Sequence, residues 1–267
     1  MTLNNNLQRV SNRVNKYLRC PNAKQIHDVR TSIRRLDATY LILPKQNRSA
    51  STFSDYVLEC KMFFRINSEI RDLDIIYEKL QKYPSNSQRN SLIETIKATR
   101  DAKLESAKTI ARSLRRKDTS RIIDKIGVTE KVLQKRYNKI LSRLISTIES
   151  TFPVVVTSPT KLRELHNLRI ACKKLRYLLE LLPDKDKSAL KTQKILQKLQ
   201  DILGTIHDYD FTIEYLYSLG ESSVEIEEII AIEKEERDVK FNEFLGFCKR
   251  RLKISPDSFM MSLRKLS

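Results

Sequence analysis

Apolar residues recur every three or four positions along almost the whole chain, and this spacing predicts long amphipathic α-helices. The eight predicted helices cover residues 3–19, 22–43, 50–82, 87–117, 129–150, 160–182, 186–218 and 223–252. Turn-forming residues separate them, among them Pro44, Tyr83-Pro84, Pro183-Asp184 and Gly220. The run from Phe152 to Thr157 is typical of a strand, but no second run is available to pair with it. We therefore interpret it as an extended linker.

Composition agrees with an all-α fold built from long helices. The 267 residues include only 4 Gly and 7 Pro, so turn formers are scarce, and the 40% of hydrophobic residues is enough to bury a core. No uninterrupted apolar stretch approaches the length of a membrane span, and the N-terminus lacks the pattern of a signal peptide. We therefore expect a soluble, cytoplasmic protein without a membrane span.

The net charge of the chain limits the kinds of binding partner that we expect. Lys and Arg total 51 and Asp and Glu total 33, which gives a formal net charge of +18. A solvated surface usually balances the two signs, so this excess favours an acidic partner such as nucleic acid, anionic lipid or a phosphate polymer. Net charge alone does not choose among these polyanions.

The sequence offers little for catalysis or for a cofactor. The four cysteines, Cys20, Cys60, Cys172 and Cys248, form no CxxC pair, so we expect reduced, buried thiols rather than zinc ligands. The scattered glycines form no phosphate-binding loop, and no nucleophile and base can be paired from their spacing. We predict no catalytic residue, no metal and no cofactor.

Two motifs occur twice in the chain, in the same order and at nearly equal separation. His27-Asp28-Val29-Arg30, followed by Arg34-Arg35-Leu36, recurs as His166-Asn167-Leu168-Arg169, followed by Lys173-Lys174-Leu175. Arg71-Asp72-Leu73-Asp74 recurs as His207-Asp208-Tyr209-Asp210. We therefore predict two four-helix bundles related by a pseudo-two-fold axis, residues 1–151 and 152–267, which together form one composite domain.

In each copy of the first motif a row of cations borders the apolar face of a helix. Helical spacing places Arg30 and Arg34 beside His27, and it places Arg169 and Lys173 beside His166. Cations held together next to the core repel one another unless an anion joins them, and they make a strong field for phosphate. The alternative is that the histidines fix helix geometry by hydrogen bonding to a neighbouring helix.

Two further functions stay open from the residues alone. Asp72, His207 and Asp208 suggest a metal-dependent phosphohydrolase, but adjacent helical residues point apart and the chain has only 3 His, so we interpret the two aspartates as partners that orient basic residues. A nucleic-acid-binding helical protein shares the charge, but the lack of Trp and the 7% aromatic content argue against base stacking. A basic run over residues 97–117 is interpreted as a solvated face.

The repeated motifs, together with Leu199-Gln200-Asp201-Ile202-Leu203-Gly204, resemble those of the CHAD family, the conserved histidine α-helical domain. The resemblance implies a basic groove or pore between two helical repeats that binds inorganic polyphosphate, in a protein associated with polyphosphate granules. It also implies a stand-alone member that binds without catalysis, because the ExExK strand of the CYTH hydrolase domain, which often accompanies this family, is not found.

The resemblance also implies a set of polyphosphate-binding residues. In the first half these are His27, Arg30, Arg34, Arg35, Lys61, Arg65 and Arg71. In the second half they are His166, Arg169, Lys173, Lys174, Arg176, Lys198 and His207. The sequence departs from the pattern at Asp37, which takes the position equivalent to Arg176 and lowers the local positive charge.

Overall fold

The computed structural model describes residues 3–49, 51–119, 128–181, 187–220 and 223–251, and the regular structure within these ranges is helical throughout. The helices are α1 (Leu3–Arg19), α2 (Ala23–Ile42), the one-turn α3 (Lys45–Arg48), α4 (Ser51–Leu80), α5 (Ser87–Arg116), α6 (Glu130–Thr157), α7 (Leu162–Leu179), α8 (Lys187–Ser218) and α9 (Val224–Arg251). The predicted all-α fold class is confirmed. Seven of the eight predicted helices end within a few residues of their predicted bounds, and α6 is longer than predicted.

The chain forms two compact units, Met1–Arg136 and Tyr137–Ser267. Unit 1 contains α1 to α5, unit 2 contains α7 to α9, and α6 begins in the first and ends in the second. The boundary predicted from the sequence, between residues 151 and 152, lies further along the same helix. Four long helices contribute to each unit, because α6 belongs mainly to the second.

Asparagine side chains cap the starts of two of these helices, at positions that our sequence analysis did not identify. The side-chain oxygen of Asn22 accepts a hydrogen bond from the backbone N–H of Gln25 at 3.0 Å at the start of α2. Asn86 accepts one from Arg89 at 2.7 Å at the start of α5. These bonds satisfy donors that the first turn leaves unpaired. After α8, Gly220 adopts a φ of 67°, a left-handed conformation that glycine tolerates without strain.

The interior of unit 1 is filled by apolar side chains from α1, α2, α4 and α5. Tyr17, Phe53, Tyr56 and Phe63 are among its largest fully buried residues, and the rings of Tyr17 and Phe63 meet edge to face at 5.0 Å between centroids. α1 packs on α2 and α5, and α4 packs on α5 and α2. The buried positions follow the helical periodicity of the sequence, so each helix contributes one apolar face.

The extended linker predicted at residues 152–157 is wrong, because α6 continues to Thr157. Pro153 lies inside the helix, and the Thr157 hydroxyl donates to its carbonyl oxygen at 3.0 Å. Phe152 and Val155 are buried, and the Phe152 ring lies 6.3 Å from that of Phe244 in α9. Burial of these side chains in unit 2 outweighs the low helix propensity of proline and valine.

Of the helices in the described ranges, α6 is the one whose length and composition would allow it to cross a membrane. A single such helix is weak evidence for a membrane span, because core helices of soluble proteins meet the same criterion. Six side chains of this helix are buried, namely Tyr137, Leu141, Ile145, Ile148, Phe152 and Val155.

An ion pair occurs at equivalent positions in the two units. In unit 1 the Arg100 guanidinium of α5 donates to Asp74 of α4 at 2.7 Å. In unit 2 the Arg237 guanidinium of α9 donates to Asp210 of α8 at 2.9 Å. Each arginine also contacts the aspartate that follows it in the chain. The Arg-Asp dipeptide is thus a third repeated motif, which our sequence analysis missed, and it supports the prediction of an internal repeat.

The pair in unit 2 is the more buried of the two. The Arg237 side chain is only 9% exposed and that of Asp210 is 19% exposed. Arg237 also donates to the carbonyl oxygen of Pro159 at 2.8 Å, so it joins α9 both to α8 and to the segment before α7. Removing one member of a buried ion pair leaves an uncompensated charge, which typically costs about 3–5 kcal/mol.

We expect Arg237→Met to lower the free energy of unfolding by about 3 kcal/mol, since Asp210 and the Pro159 carbonyl lose their partner. Urea denaturation followed by circular dichroism measures the change. The matched control is Lys249→Met, which removes an exposed positive charge from the same helix and should cost less than about 0.5 kcal/mol. Equal losses in the two variants would show that the buried pair contributes no more than a surface charge.

Candidate polyanion-binding site

In unit 1 the predicted histidine and three predicted arginines lie within electrostatic reach of one another. His27, Arg30 and Arg34 lie on α2, and Arg71 comes from α4. Burial is the main cause that lowers the pKa of His27; Asp28 raises this pKa, and the three arginines lower it further. The imidazole is therefore neutral at neutral pH and lies in a cationic environment. We call His27, Arg30, Arg34 and Arg71 the unit 1 row.

Phe64 of α4 lies beneath two members of this row. The guanidinium carbons of Arg30 and Arg34 lie 5.8 Å and 5.0 Å from the centroid of its ring. A guanidinium that stacks on an aromatic face keeps its N–H groups at the edge, where they can donate to phosphate oxygens. Our sequence analysis missed Phe64, because a single aromatic residue on a core helix carries no signal of such a role.

The structure places Lys61 and Arg65 beside acidic residues of the same unit. The Lys61 ammonium lies 3.8 Å from an Asp37 carboxylate oxygen and 5.1 Å from the centroid of the Tyr40 ring. Arg65, with a side chain that is 85% exposed, pairs with Glu69 at 3.3 Å. Asp37, the residue that departs from the family pattern, thus partly neutralises Lys61. These two cations add less free charge to the site than the sequence implies.

In unit 2 two histidines meet beside two cations. The rings of His166 on α7 and His207 on α8 lie 5.7 Å apart between centroids. Burial, followed by Arg169, His166 and Lys173, lowers the pKa of His207 to about 3. Burial, Arg169 and Lys173 also lower the pKa of His166. Both imidazoles are therefore neutral at neutral pH, and we call these four residues the unit 2 row.

The two rows correspond position by position. Arg71 contributes to the environment of His27 in unit 1, and His207, its counterpart in the repeat, lies against His166 in unit 2. In each unit the second motif therefore lies within electrostatic reach of the first, although the two are far apart in the sequence. One row has an arginine where the other has a half-buried histidine.

Four predicted residues lie at the edge of the rows or away from them. Helical spacing places Arg35 and Lys174 about 80° around their helices from His27 and His166. Arg176 continues the unit 2 row by spacing, and it contacts Glu180 at 3.6 Å and the Tyr177 ring at 4.5 Å. Lys198 is exposed, and it helps Lys240 to lower the pKa of Glu243 on α9. It lies about half a helical turn away from the face of α8 that bears His207.

Carboxylates neutralise much of the basic run on α5, and within the rows Arg71 also pairs with a carboxylate, that of Glu78, at 3.1 Å. The ion pairs of the α5 run are Lys97–Glu94, Arg100–Asp74, Lys103–Glu69, Lys108–Glu105 and Lys117–Glu59, at 2.6–2.8 Å. Pairs of this kind at a solvated surface leave little net field for a ligand. This supports the interpretation of the run as a solvated face.

Metal-ligating and nucleophilic groups do not converge in the described part of the chain. No group of three or more His, Cys, Asp or Glu side chains there could hold a metal ion. Cys60, Cys172 and Cys248 are buried as expected, whereas Cys20 is exposed. Burial raises the pKa of each of the three buried thiols to about 12, so they stay protonated.

Comparison with known families matches residues 2–217 to the CHAD domain. This chain belongs to the CHAD family. The match to the CHAD domain includes every predicted site residue, from His27 to His207. Among solved structures, the chain is similar to the crystal structure of the CHAD domain from the plant Ricinus communis, with a TM-score of 0.61 and 15% sequence identity over 99% of this chain and 90% of that one. At this identity the likeness concerns the fold alone. No curated protein matches the sequence.

We expect His207 to make this CHAD protein sensitive to acid. The unfolded histidine has a pKa of about 6.5 and the native one a pKa of about 3, so the unfolded state binds the proton first and stability falls as the pH drops below about 6.5. Between about pH 7 and pH 5, His207→Gln should lose about 2 kcal/mol less unfolding free energy than the wild type. Urea denaturation at the two pH values measures both losses. Equal losses would show that His207 does not titrate in this way.

Proposed function

We propose that this chain binds inorganic polyphosphate along the unit 1 and unit 2 rows and does not hydrolyse it. The observation that carries the proposal is the convergence of fixed cations on a neutral histidine in each unit. Membership of the CHAD family supports it. A polyphosphate chain carries regularly spaced negative charges, and cations on successive turns of a helix recur about every 5.4 Å, so a row can contact several phosphates at once.

The chemistry of the rows favours phosphate over nucleobases. Their side chains supply cationic donors, which match a ligand that offers only acceptor oxygens, and arginine can bind phosphate in a bidentate way. Single-stranded nucleic acid in a non-specific groove would need exposed aromatic faces for stacking. Phe64, the aromatic residue of the unit 1 row, is instead covered by Arg30 and Arg34.

Neutral histidines among the cations make binding depend on pH. A bound anion favours the imidazolium form, so it raises the pKa of His27, His166 and His207. The complex then holds more protons than the free protein, and linkage requires the affinity to increase as the pH falls through the region near and below about 6.5.

We expect the affinity for long-chain polyphosphate to increase by about tenfold between about pH 7.5 and pH 5.5 at constant ionic strength. The double variant His166→Gln/His207→Gln should show a weaker dependence, since it keeps only one of the three titrating histidines. Isothermal titration calorimetry in buffers of different ionisation enthalpy also counts the protons taken up. A binding reaction that takes up no protons in the wild type would contradict the role given to the histidines.

The assignment of the rows is tested by Arg30→Ala/Arg169→Ala. Loss of two charge-assisted contacts should weaken polyphosphate binding by about 3 kcal/mol, and the dependence of log Kd on log salt should become shallower because fewer counterions are released. Titration of long-chain polyphosphate measures both quantities. Unchanged affinity would overturn the site assignment.

The matched control is Lys97→Ala/Lys108→Ala, which removes the same charge from α5, where both lysines are paired with glutamates. It should change the affinity by no more than about twofold, because net charge alone has a small effect compared with direct contacts. A loss as large as that of the arginine variant would show that overall charge, and not the rows, controls binding.

The proposed function includes two further expectations, that the chain does not hydrolyse polyphosphate and that it lies in the cytoplasm. Incubation with polyphosphate or triphosphate and divalent metals should release no phosphate, and reproducible metal-dependent turnover would favour a phosphohydrolase instead. In cells we expect a cytoplasmic protein that co-localises with polyphosphate granules, which a fluorescent fusion can show.

A further inference from the structure

The outer face of α1 shares no residue with either row and has a chemistry of its own. The described residues on this face are Asn5, Gln8, Arg9, Asn12, Arg13 and Lys16, and Asn5, Gln8, Asn12 and Lys16 are exposed. They recur at spacings of three and four, so they form one stripe on one side of the helix. α1 contains no Asp or Glu, so the stripe combines three cations with three amides and has no carboxylate of its own.

We propose that this α1 stripe binds double-stranded DNA in the major groove. Amides are the feature that separates it from the two rows. An ionised phosphate chain offers only acceptors, whereas the amides of Asn5, Gln8 and Asn12 present both donors and acceptors. Base edges in the major groove also present both, and Asn and Gln pair with adenine while Arg and Lys pair with guanine. The stripe therefore matches a duplex better than it matches polyphosphate.

The opposite side of α1 fixes the helix in unit 1. Leu7, Val10, Val14 and Tyr17 are buried there and hold the helix against its neighbours. The amide side chains of Asn5, Gln8 and Asn12 make no hydrogen bond to another described residue, so such a bond does not explain why amides occur here. A helix that is anchored on one side and presents unengaged amides on the other is preorganised for contact with a ligand.

The shape and composition of the stripe favour a DNA duplex over other nucleic acids. It contains no aromatic residue on which the bases of a single strand could stack. The major groove of duplex RNA is too narrow for side chains to read, whereas that of B-DNA is about 12 Å wide and admits an α-helix. From Asn5 to Lys16 the helix rises by about 16 Å, the length of about five base pairs.

Fluorescence anisotropy with a labelled DNA duplex and the full chain tests this proposal. Arg9→Ala/Lys16→Ala removes two of the three cations and keeps the Arg13–Asp28 pair at 2.6 Å. Alanine preserves the helix, which circular dichroism and the melting temperature check. We expect the affinity for the duplex to fall by about tenfold or more and the salt dependence to become shallower. The affinity for polyphosphate should stay within about twofold of the wild-type value, because the rows are intact.

The amides are tested separately by Asn5→Ala/Asn12→Ala, which leaves the charge unchanged. In competition among duplexes of different sequence, this variant should lose about tenfold of the discrimination shown by the wild type. The charge control is Lys97→Ala/Lys108→Ala on α5, which should bind the duplex like the wild type.

Several results would overturn the proposal. If the Arg9→Ala/Lys16→Ala variant bound DNA with the affinity of the wild type, the α1 stripe would not be the DNA-binding site. Loss of DNA binding in Arg30→Ala/Arg169→Ala, with α1 intact, would place DNA on the rows. Binding of single-stranded DNA or duplex RNA as tight as that of duplex DNA would reject the groove-reading mode. If the chain failed to bind polyphosphate in a separate titration, that result would contradict the proposed function but not the DNA proposal, because the two sites share no residue.

Discussion

The placement of cations directly beside an apolar stripe on α2 and α7 is the constraint on which the candidate site depends. A charged face that lies opposite the core is fully solvated and its field is screened, whereas a row that borders the core is partly shielded from water. Shielding strengthens the field, and the depressed pKa values of His27, His166 and His207 are its direct consequence.

The two units meet this constraint with different side chains. Unit 1 places Arg71 near its first histidine and stacks Arg30 and Arg34 on Phe64. Unit 2 places a second histidine, His207, in the position of Arg71. Both units hold permanent cations beside a neutral histidine, and unit 2 adds a second histidine that gains charge when an anion or acid favours protonation.

The side chains around each cation indicate its role better than the net charge of +18 does. Cations of α5 face glutamates and aspartates, and two of these contacts, Arg100–Asp74 and Lys103–Glu69, join α5 to α4, as Arg237–Asp210 joins α9 to α8 in unit 2. Cations of the rows lie around histidines, and those of α1 alternate with amides. In our proposals one composition therefore provides structural pairs, a site for an acceptor-only polymer and a face suited to base edges, and hydrogen-bond partners rather than charge separate the three.

The sequence by itself determined the helices, the break at Gly220 and the two histidine motifs, because apolar periodicity and turn chemistry act over a few residues. It also led to the CHAD family, since its motifs are local and ordered. Tertiary structure alone decided that residues 152–157 are helical, that Phe64 supports two arginines, and that Lys198 acts on Glu243 of α9. Periodicity shows which side of a helix is apolar, but the choice of neighbour for the other sides depends on packing between residues far apart in the chain.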